Sequence, residues 1–133
     1  MADKIGVLGE ATTATAATTT VYTCPAGKAA KVSIMWSGLS HASTGTGDLT
    51  FTVNGIDVAV VLNMTAARYV HSNSTLMVNP ETAAAPTGAT ALLTVAPAPF
   101  EYYLSAGDTV TYTVATLTMQ SLNVQVVGTE VDV

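Results

Sequence analysis

Two histidines are the first residues to examine for metal or acid–base chemistry. His41 and His71 lie thirty positions apart, and neither has a cysteine, a histidine or a carboxylate beside it at metal-ligand spacing. The single cysteine, Cys24, has no second cysteine in the chain with which to form a disulfide. We therefore predict that both histidines occupy surface or loop positions and that Cys24 is a small buried hydrophobic residue.

A glycine-containing segment, PAGK at residues 25–28, is the next candidate, because a Gly-Lys pair holds phosphates in P-loop proteins. That motif also needs a glycine and a hydroxyl residue at positions where this chain has Tyr22 and Ala29. No Gly-x-Ser-x-Gly elbow surrounds a serine. The loop at residues 43–48, STGTGD, has one carboxylate where a calcium loop needs several. We expect no catalytic residue, no cofactor and no metal.

The PAGK segment fits better as one of two related turns. Residues 22–36 read YTCPAGKAAKVSIMW and residues 102–114 read YYLSAGDTVTYTV, so an aromatic start, an Ala-Gly turn and an alternating run occur twice. Gly27 and Gly107 supply backbone angles that other residues adopt only at a cost. We predict that both turns are structural and that each begins a β-strand.

Composition favours an all-β domain and excludes several functions. The 133 residues suit one domain, and they include 23 threonines but only 13 charged residues. A net charge of −5 leaves no basic patch for nucleic acid or an anionic membrane. No apolar run reaches the roughly 18 residues of a membrane-spanning helix, and the start of the chain does not resemble a secretory signal. We expect a chain made and folded in a reducing cytoplasm.

Alternation with a period of two is the dominant pattern. The predicted inward residues are Val32, Ile34 and Trp36; Leu49, Phe51 and Val53; Ile56, Val58, Val60 and Leu62; Phe100, Tyr102 and Leu104; Val110, Tyr112 and Val114; and Leu122, Val124 and Val126. Further short strands are predicted at Leu76 to Val78 and at Leu92 to Val95. The Asn54-Gly55 pair predicts a two-residue type I′ hairpin between two of these strands.

About eight strands separated by turn signals predict an all-β fold, a single-domain antiparallel β-sandwich or jelly roll at residues 21–133. The Ala-rich stretch at residues 81–93 is broken by Pro86 and Gly88, so we predict a long loop there. Residues 11–20, ATTATAATTT, contain no large apolar side chain. We predict that residues 1–20 form an extended N-terminal arm that orders against another chain.

Apolar residues at outward positions indicate assembly. The predicted contacts are Met35, Val61, Tyr103 and Val127 on strand faces and Ile5, Val7 and Leu8 in the arm. Monomers rarely expose many such residues, and subunit interfaces are depleted of charge. We therefore predict a homo-oligomer, specifically a trimer, because closed symmetry is the usual way for soluble chains to bury such surface.

Several stretches resemble the small β-sandwich virion structural proteins of tailed bacteriophages. The resemblance lies in MADKIGVLGEAT at residues 1–12, TTTVYTCPAGKAAKVSIMW at 18–36, the VNG hairpin at 53–55 and LSAGDTVTYTV at 104–114. It also includes the terminal strand that ends in Gly128-Thr129-Glu130, while residues 63–99 are unmatched. The resemblance implies a virion component, commonly a capsid decoration (cement) protein or a tail or neck accessory protein, and brings no catalytic residue.

Two functional hypotheses follow. In the first, the protein is structural and binds capsid or tail subunits of the particle as well as itself. In the second, it is a receptor-binding head that stacks host carbohydrate on Tyr69, Tyr102 and Tyr103. The only tryptophan, Trp36, falls on the inward set, so it is not offered for sugar stacking and the structural hypothesis is favoured.

Overall fold

The computed structural model describes residues 3–72 and 101–133. Within these ranges the chain forms nine β-strands and no helix. The strands are β1 (Lys4–Ala11), β2 (Thr18–Thr23), β3 (Lys28–Leu39), β4 (Gly47–Val53), β5 (Ile56–Met64), β6 (Tyr69–His71), β7 (Tyr102–Ser105), β8 (Thr109–Ala115) and β9 (Ser121–Asp132). They make two antiparallel sheets that pack face to face, so the predicted all-β sandwich is confirmed.

The strand order shows how the chain winds between the sheets. The five-stranded sheet has the order β1-β9-β3-β6, with β7 also paired to β3, and the four-stranded sheet has the order β2-β8-β4-β5. The first strand therefore lies beside the last, and the second beside the next to last. Without β7, this is the winding of an eight-stranded jelly roll.

The core lies between the two sheets, where the inward residues of β3, β4, β8 and β9 meet. Trp36 of the five-stranded sheet stacks on Phe51 of the four-stranded sheet, with ring centroids 4.1 Å apart. Phe51 in turn lies 5.9 Å from the ring of Tyr112. Such aromatic pairs contribute about 1 kcal/mol each beyond the area they bury, so these three rings tie the sheets together.

The predicted hairpin joins β4 to β5. Asn54 and Gly55 both have positive φ, 49° and 84°, as a type I′ turn requires. Val53 pairs with Ile56 across this turn. The sequence therefore predicted both the position of the turn and its type.

The inward set predicted for β5 fails because of a β-bulge. Phe51 pairs with Ala59 while the next residue of β4 pairs with Asp57, so β5 carries one extra residue there. One extra residue exchanges the faces of all that follow. Val61 is consequently 0% exposed and lies in the core, not on an outer face, and Leu62 is exposed. Ile56 precedes the bulge and is exposed next to the turn.

The first half of the predicted arm is part of the sandwich. Residues 4–11 form strand β1, which pairs with β9 at the edge of the five-stranded sheet. Leu8 follows Val7 on the opposite face of β1 and lies in the core, and the register shift between Val7 and Gly9 makes it the extra residue of a bulge. This differs from the prediction of an arm that orders only against another chain, because the backbone groups of β1 pair with β9 of the same chain.

The two related turns lie side by side at one end of the sandwich. The N–H of Gly107 donates to the carbonyl of Cys24, and the N–H of Cys24 donates to the carbonyl of Asp108, both at 2.9 Å. Gly27 and Gly107 have φ of 78° and 92°, as their structural role requires. Cys24 is buried between the turns, and burial raises the pKa of its thiol.

Some predictions concern residues outside the described ranges. These are the strands at Leu76 to Val78 and Leu92 to Val95, the inward position of Phe100 and the loop at residues 81–93. Among the residues that the structure describes, no helix has the length and apolar character needed to cross a membrane.

Candidate assembly surface

The outer face of the five-stranded sheet, called the A face below, collects most of the predicted contact residues. Ile5 and Val7 come from β1, Val127 from β9, Met35 from β3 and Tyr103 from β7. Ile5 and Tyr103 are 80% and 74% exposed, and Met35 and Val7 are nearly half exposed. Leu8 and Val61 are not on this face, because Leu8 points to the opposite side of β1 from Val7 and the bulge in β5 turns Val61 into the core of the sandwich.

Strand register brings these residues together. Val7 pairs with Val127, and Val127 pairs on its other side with Ser33. One pleat away, Ile5 pairs with Thr129. Residues paired directly across an antiparallel sheet have Cβ atoms about 5 Å apart, so the apolar side chains of β1 and β9 form a continuous patch.

Charges on the A face lie beside this patch and are partly paired. Lys31 lies 3.9 Å from Glu101 in an exposed ion pair on β3 and the start of β7. Lys28 forms a further ion pair with Asp132, on the side of the sheet that bears Ala30 and Glu130 and not on the A face. This contact raises the pKa of the Lys28 amine and lowers the pKa of the Asp132 carboxyl. On the A face itself, the exposed Lys31–Glu101 pair contributes little to stability, and Glu10 of β1 accepts a hydrogen bond from the side-chain amide of Gln125.

The outer face of the four-stranded sheet, called the B face below, is chemically different. Threonines lie in register across it: Thr18 pairs with Thr113 and Thr113 with Thr50, while Thr20 pairs with Thr111 and Thr111 with Thr52. The hydroxyls of Thr18 and Thr113 are hydrogen-bonded at 2.8 Å. Six of the 23 threonines of the chain thus form polar rows across this face.

A buried polar pair lies between the sheets. The hydroxyl of Tyr22 on β2 donates to Oε2 of Glu130 on β9 at 2.6 Å. Burial, followed by this hydrogen bond, raises the pKa of Tyr22 well above its ordinary value. The sequence analysis missed this pair, although continuing the alternation of Leu122, Val124 and Val126 by two steps of two places Glu130 on the inward face.

His41 lies in the loop between β3 and β4, which fits the prediction of a surface or loop position, but it is buried and not at the surface. Its Nδ1 lies 2.7 Å from the carbonyl oxygen of Ser43, and its Nε2 lies 2.8 Å from that of Met64. The ring therefore joins the loop after β3 to the end of β5. His71 is exposed, as predicted.

Beside His41, Ser40 makes a second connection between the same two loops. Its hydroxyl donates to the carbonyl of Thr65 and accepts from the N–H of Arg68. Both contacts of the Ser40 hydroxyl are to backbone groups, so their role is to fix the loops and not to bind a ligand. Within residues 3–72 and 101–133, no three His, Cys, Asp or Glu side chains are grouped so that they could hold a metal.

No protein-family model matches the chain, and no curated protein matches it in sequence. A solved structure of similar trace is the acid-stable capsid of Helicobacter pylori bacteriophage KHP30, at 15% identity, 99% coverage of this chain, 97% of that chain and TM-score 0.47. The Drosophila NLP core, described with pentamer formation and histone binding, matches at 14% identity, 92% and 96% coverage and TM-score 0.41. Disulfide-linked pili of Bacillus endospores match at 13% identity, 100% and 95% coverage and TM-score 0.36. A sandwich occurring in such different settings does not by itself indicate an activity.

Proposed function

We propose that this protein is a non-enzymatic structural component of a bacteriophage particle, a capsid decoration (cement) protein made in the host cytoplasm. It assembles as a homotrimer and binds capsid subunits through the A face. The observation that carries the proposal is the apolar patch of Ile5, Val7, Val127 and Met35 on that face. The sequence resemblance to small virion β-sandwiches supports the setting.

The patch is large enough to matter energetically. Fully burying an aliphatic side chain of this size contributes about 1.5–3 kcal/mol. Only Ile5 is mostly exposed, and Val7, Met35 and Val127 are already about half-buried or more, so the four contribute on the order of 3–6 kcal/mol before the costs of association. A trimer presents three such patches to a symmetric lattice, and linked binding events strengthen one another. Modest contacts of each copy can therefore give firm attachment.

The difference between the two faces indicates which of them contacts the capsid. The B face presents hydroxyls of Thr18, Thr113, Thr50, Thr111 and Thr52, which hydrate well, and its apolar side chains, Val60 and Leu62, are confined to the edge strand β5. The A face presents apolar side chains with paired charges at its margin. We expect the A face to be covered in the particle and the B face to meet solvent.

The carbohydrate hypothesis has less support from the geometry. Tyr69 and Tyr103 both lie on the A face and are well exposed, but Tyr69 pairs with Leu39 and Tyr103 with Lys31 on the same strand. Eight residues of strand separate them by roughly 26 Å, which is too far for one sugar ring to stack on both. Tyr102 is half-buried, and burial raises the pKa of its hydroxyl.

A matched pair of variants tests the proposal. Val127→Lys places a charge at the centre of the A face, and Thr111→Lys places the same charge at the centre of the B face. Co-sedimentation with expanded empty capsids should be lost for Val127→Lys and kept for Thr111→Lys. Equal capsid occupancy by both variants would overturn the assignment of the A face. Binding to a glycan array without capsid binding would favour the receptor-binding alternative.

A further inference from the structure

Strand β1 is one of the edge strands of the sandwich. It lies at the edge of the five-stranded sheet and, within the described residues, pairs only with β9. Its register runs from the Lys4–Glu130 pair to the Ala11–Val124 pair. The eight residues of β1 are therefore held by backbone hydrogen bonds along only one of their two edges.

Few side chains of β1 add to this attachment. Leu8 is its one large side chain in the core, while Ile5 and Val7 point to solvent on the A face. Gly9 lies so close to the carbonyl of Val21 that a Cβ there would overlap the oxygen. Releasing β1 would therefore expose one large apolar side chain and one strand edge.

The chain after β1 is also hydrogen-bonded to the body of the sandwich. The hydroxyl of Tyr112 donates to the carbonyl of Thr13 at 2.7 Å, and the N–H of Met119 donates to the carbonyl of Ala14 at 2.9 Å. The N–H of Val114 donates to the carbonyl of Ala17 at 3.0 Å. Thr12 is therefore the one residue between β1 and this fixed segment, and it would be the pivot of any release of β1.

We infer that β1 is exchanged between copies of this chain, so that β1 of one copy pairs with β9 of a second copy. The exchanged strand keeps the register that the closed chain shows, with Val7 against Val127 and Leu8 in the second copy's core. This inference rests on the proposed self-assembly. Because the contacts are the same in both forms, the balance is set by the pivot and by the local concentration of copies.

A second copy is the partner because the edge of β9 is fitted to β1 in detail. The strand in this position must have a glycine where β1 has Gly9, because a Cβ there would overlap the carbonyl of Val21. It must also have an extra residue between the positions of Val7 and Gly9, with an apolar side chain in the core. An identical β1 meets these requirements at once, and a head-to-tail exchange forms a ring when the rotation between copies closes.

Disulfide trapping in the full-length oligomer tests the exchange. In a Cys24→Ser background, Val7→Cys with Val127→Cys places two thiols across the β1–β9 register. Ser33→Cys with Val127→Cys is the matched control, because β3 and β9 pair at the centre of the sheet. After oxidation with copper phenanthroline, the first pair should give covalent multimers on a non-reducing gel and the control pair should give monomers.

A mixing experiment removes any dependence on the double variants. Chains carrying only Val7→Cys are mixed with chains carrying only Val127→Cys, unfolded and refolded together, so that a disulfide dimer reports exchange alone. Multimeric mass by light scattering with no cross-link between chains would overturn the exchange and leave self-assembly standing. Monomeric mass, with neither cross-linking nor binding on capsids, would overturn both the exchange and the proposed function.

Discussion

Tyr22 and Glu130 connect the two sheets through a buried hydrogen bond of 2.6 Å. Tyr22 lies on the edge strand of the four-stranded sheet and Glu130 on a central strand of the five-stranded sheet. Glu130 is among the few buried charged or polar residues of the described chain. A carboxylate in this position depends on its donor, because a buried acceptor without one carries the full cost of lost hydration.

Tyr22→Phe should destabilise the fold without changing its shape. The substitution leaves the ring in place but removes the hydroxyl that donates to Glu130, so we expect a loss of about 1–3 kcal/mol in the free energy of unfolding. Urea denaturation followed by circular dichroism measures it. Tyr103→Phe is the control, since Tyr103 is exposed and should change stability by less than about 0.5 kcal/mol. Equal effects of the two substitutions would contradict the role given to the buried pair.

The same pair predicts the response to alkaline pH. Burial and the Glu130 hydrogen bond raise the folded-state pKa of Tyr22, so the phenol is favoured as a neutral group when folded. Its stabilising contribution is complete below the unfolded-state pKa of about 10 and falls as pH rises above that value. The melting temperature should therefore decline above pH about 10, and less steeply in Tyr22→Phe. An identical decline in both proteins would assign the effect to other groups, such as Tyr102 or Lys28.

His41→Ala should loosen one end of the molecule. The substitution removes a buried ring and its hydrogen bonds to the carbonyl oxygens of Ser43 and Met64, so we expect a loss of about 2–4 kcal/mol. Hydrogen exchange should accelerate at residues 40–47 and 64–68 ahead of the core strands. Ser43→Ala is the control, since it keeps the backbone carbonyl and should leave exchange unchanged. Uniform acceleration across all strands would mean that His41 is part of the global core instead.

Gly27→Val and Gly107→Val should damage folding and not attachment. Nothing lies within 4 Å of a Cβ added at either position, so the cost comes from the positive φ alone. A β-branched residue there costs of the order of 1–3 kcal/mol, and both variants should melt at lower temperature. At temperatures where they remain folded, they should bind capsids as the parent does. Parental melting with lost capsid binding would make these turns a contact site.

Period-two alternation predicted most of the fold from the sequence. It placed Val32 and Trp36 of β3, and Val124 and Val126 of β9, on the inward face where the structure has them. β3 and β9 pair with each other without a register shift, so each residue points to the face opposite to that of its neighbour. The Asn54-Gly55 turn was also readable, because its φ angles limit the residues that can occupy it.

The error at Val61 arose where a strand has one residue too many. Val61 was assigned to a contact surface, and it lies in the core because of the β-bulge in β5. A bulge depends on pairing with a distant strand, so local alternation does not reveal it. Leu8 was also assigned to a contact surface, although the alternation of Ile5 and Val7 already places it on the opposite, inward face. The burial of His41 was missed because the carbonyls that make it tolerable come from a loop and from a strand twenty-three residues away.

Deleting residues 1–9 should abolish assembly while the sandwich remains folded. The truncated chain loses Leu8 from the core and the partner of one β9 edge, while β2 to β9 keep their remaining pairs. We expect cooperative melting at a lower temperature with the far-ultraviolet β signal retained, because the strands that carry the aromatic core are intact. Light scattering should give the 13.5 kDa chain mass, less the deleted residues, instead of a multimer.

A synthetic peptide with the sequence of residues 1–12 should then bind the truncated chain. It can add to the open edge of β9 with main-chain hydrogen bonds and return a leucine to the vacated core position. Melting temperature should rise with peptide concentration, as mass action requires for a ligand of the folded state. A peptide with Leu8→Asp should not stabilise the chain, since its charge would enter the core. If the truncated chain still assembled and occupied capsids as fully as the parent, attachment would run through the A face of β3 and β9 alone.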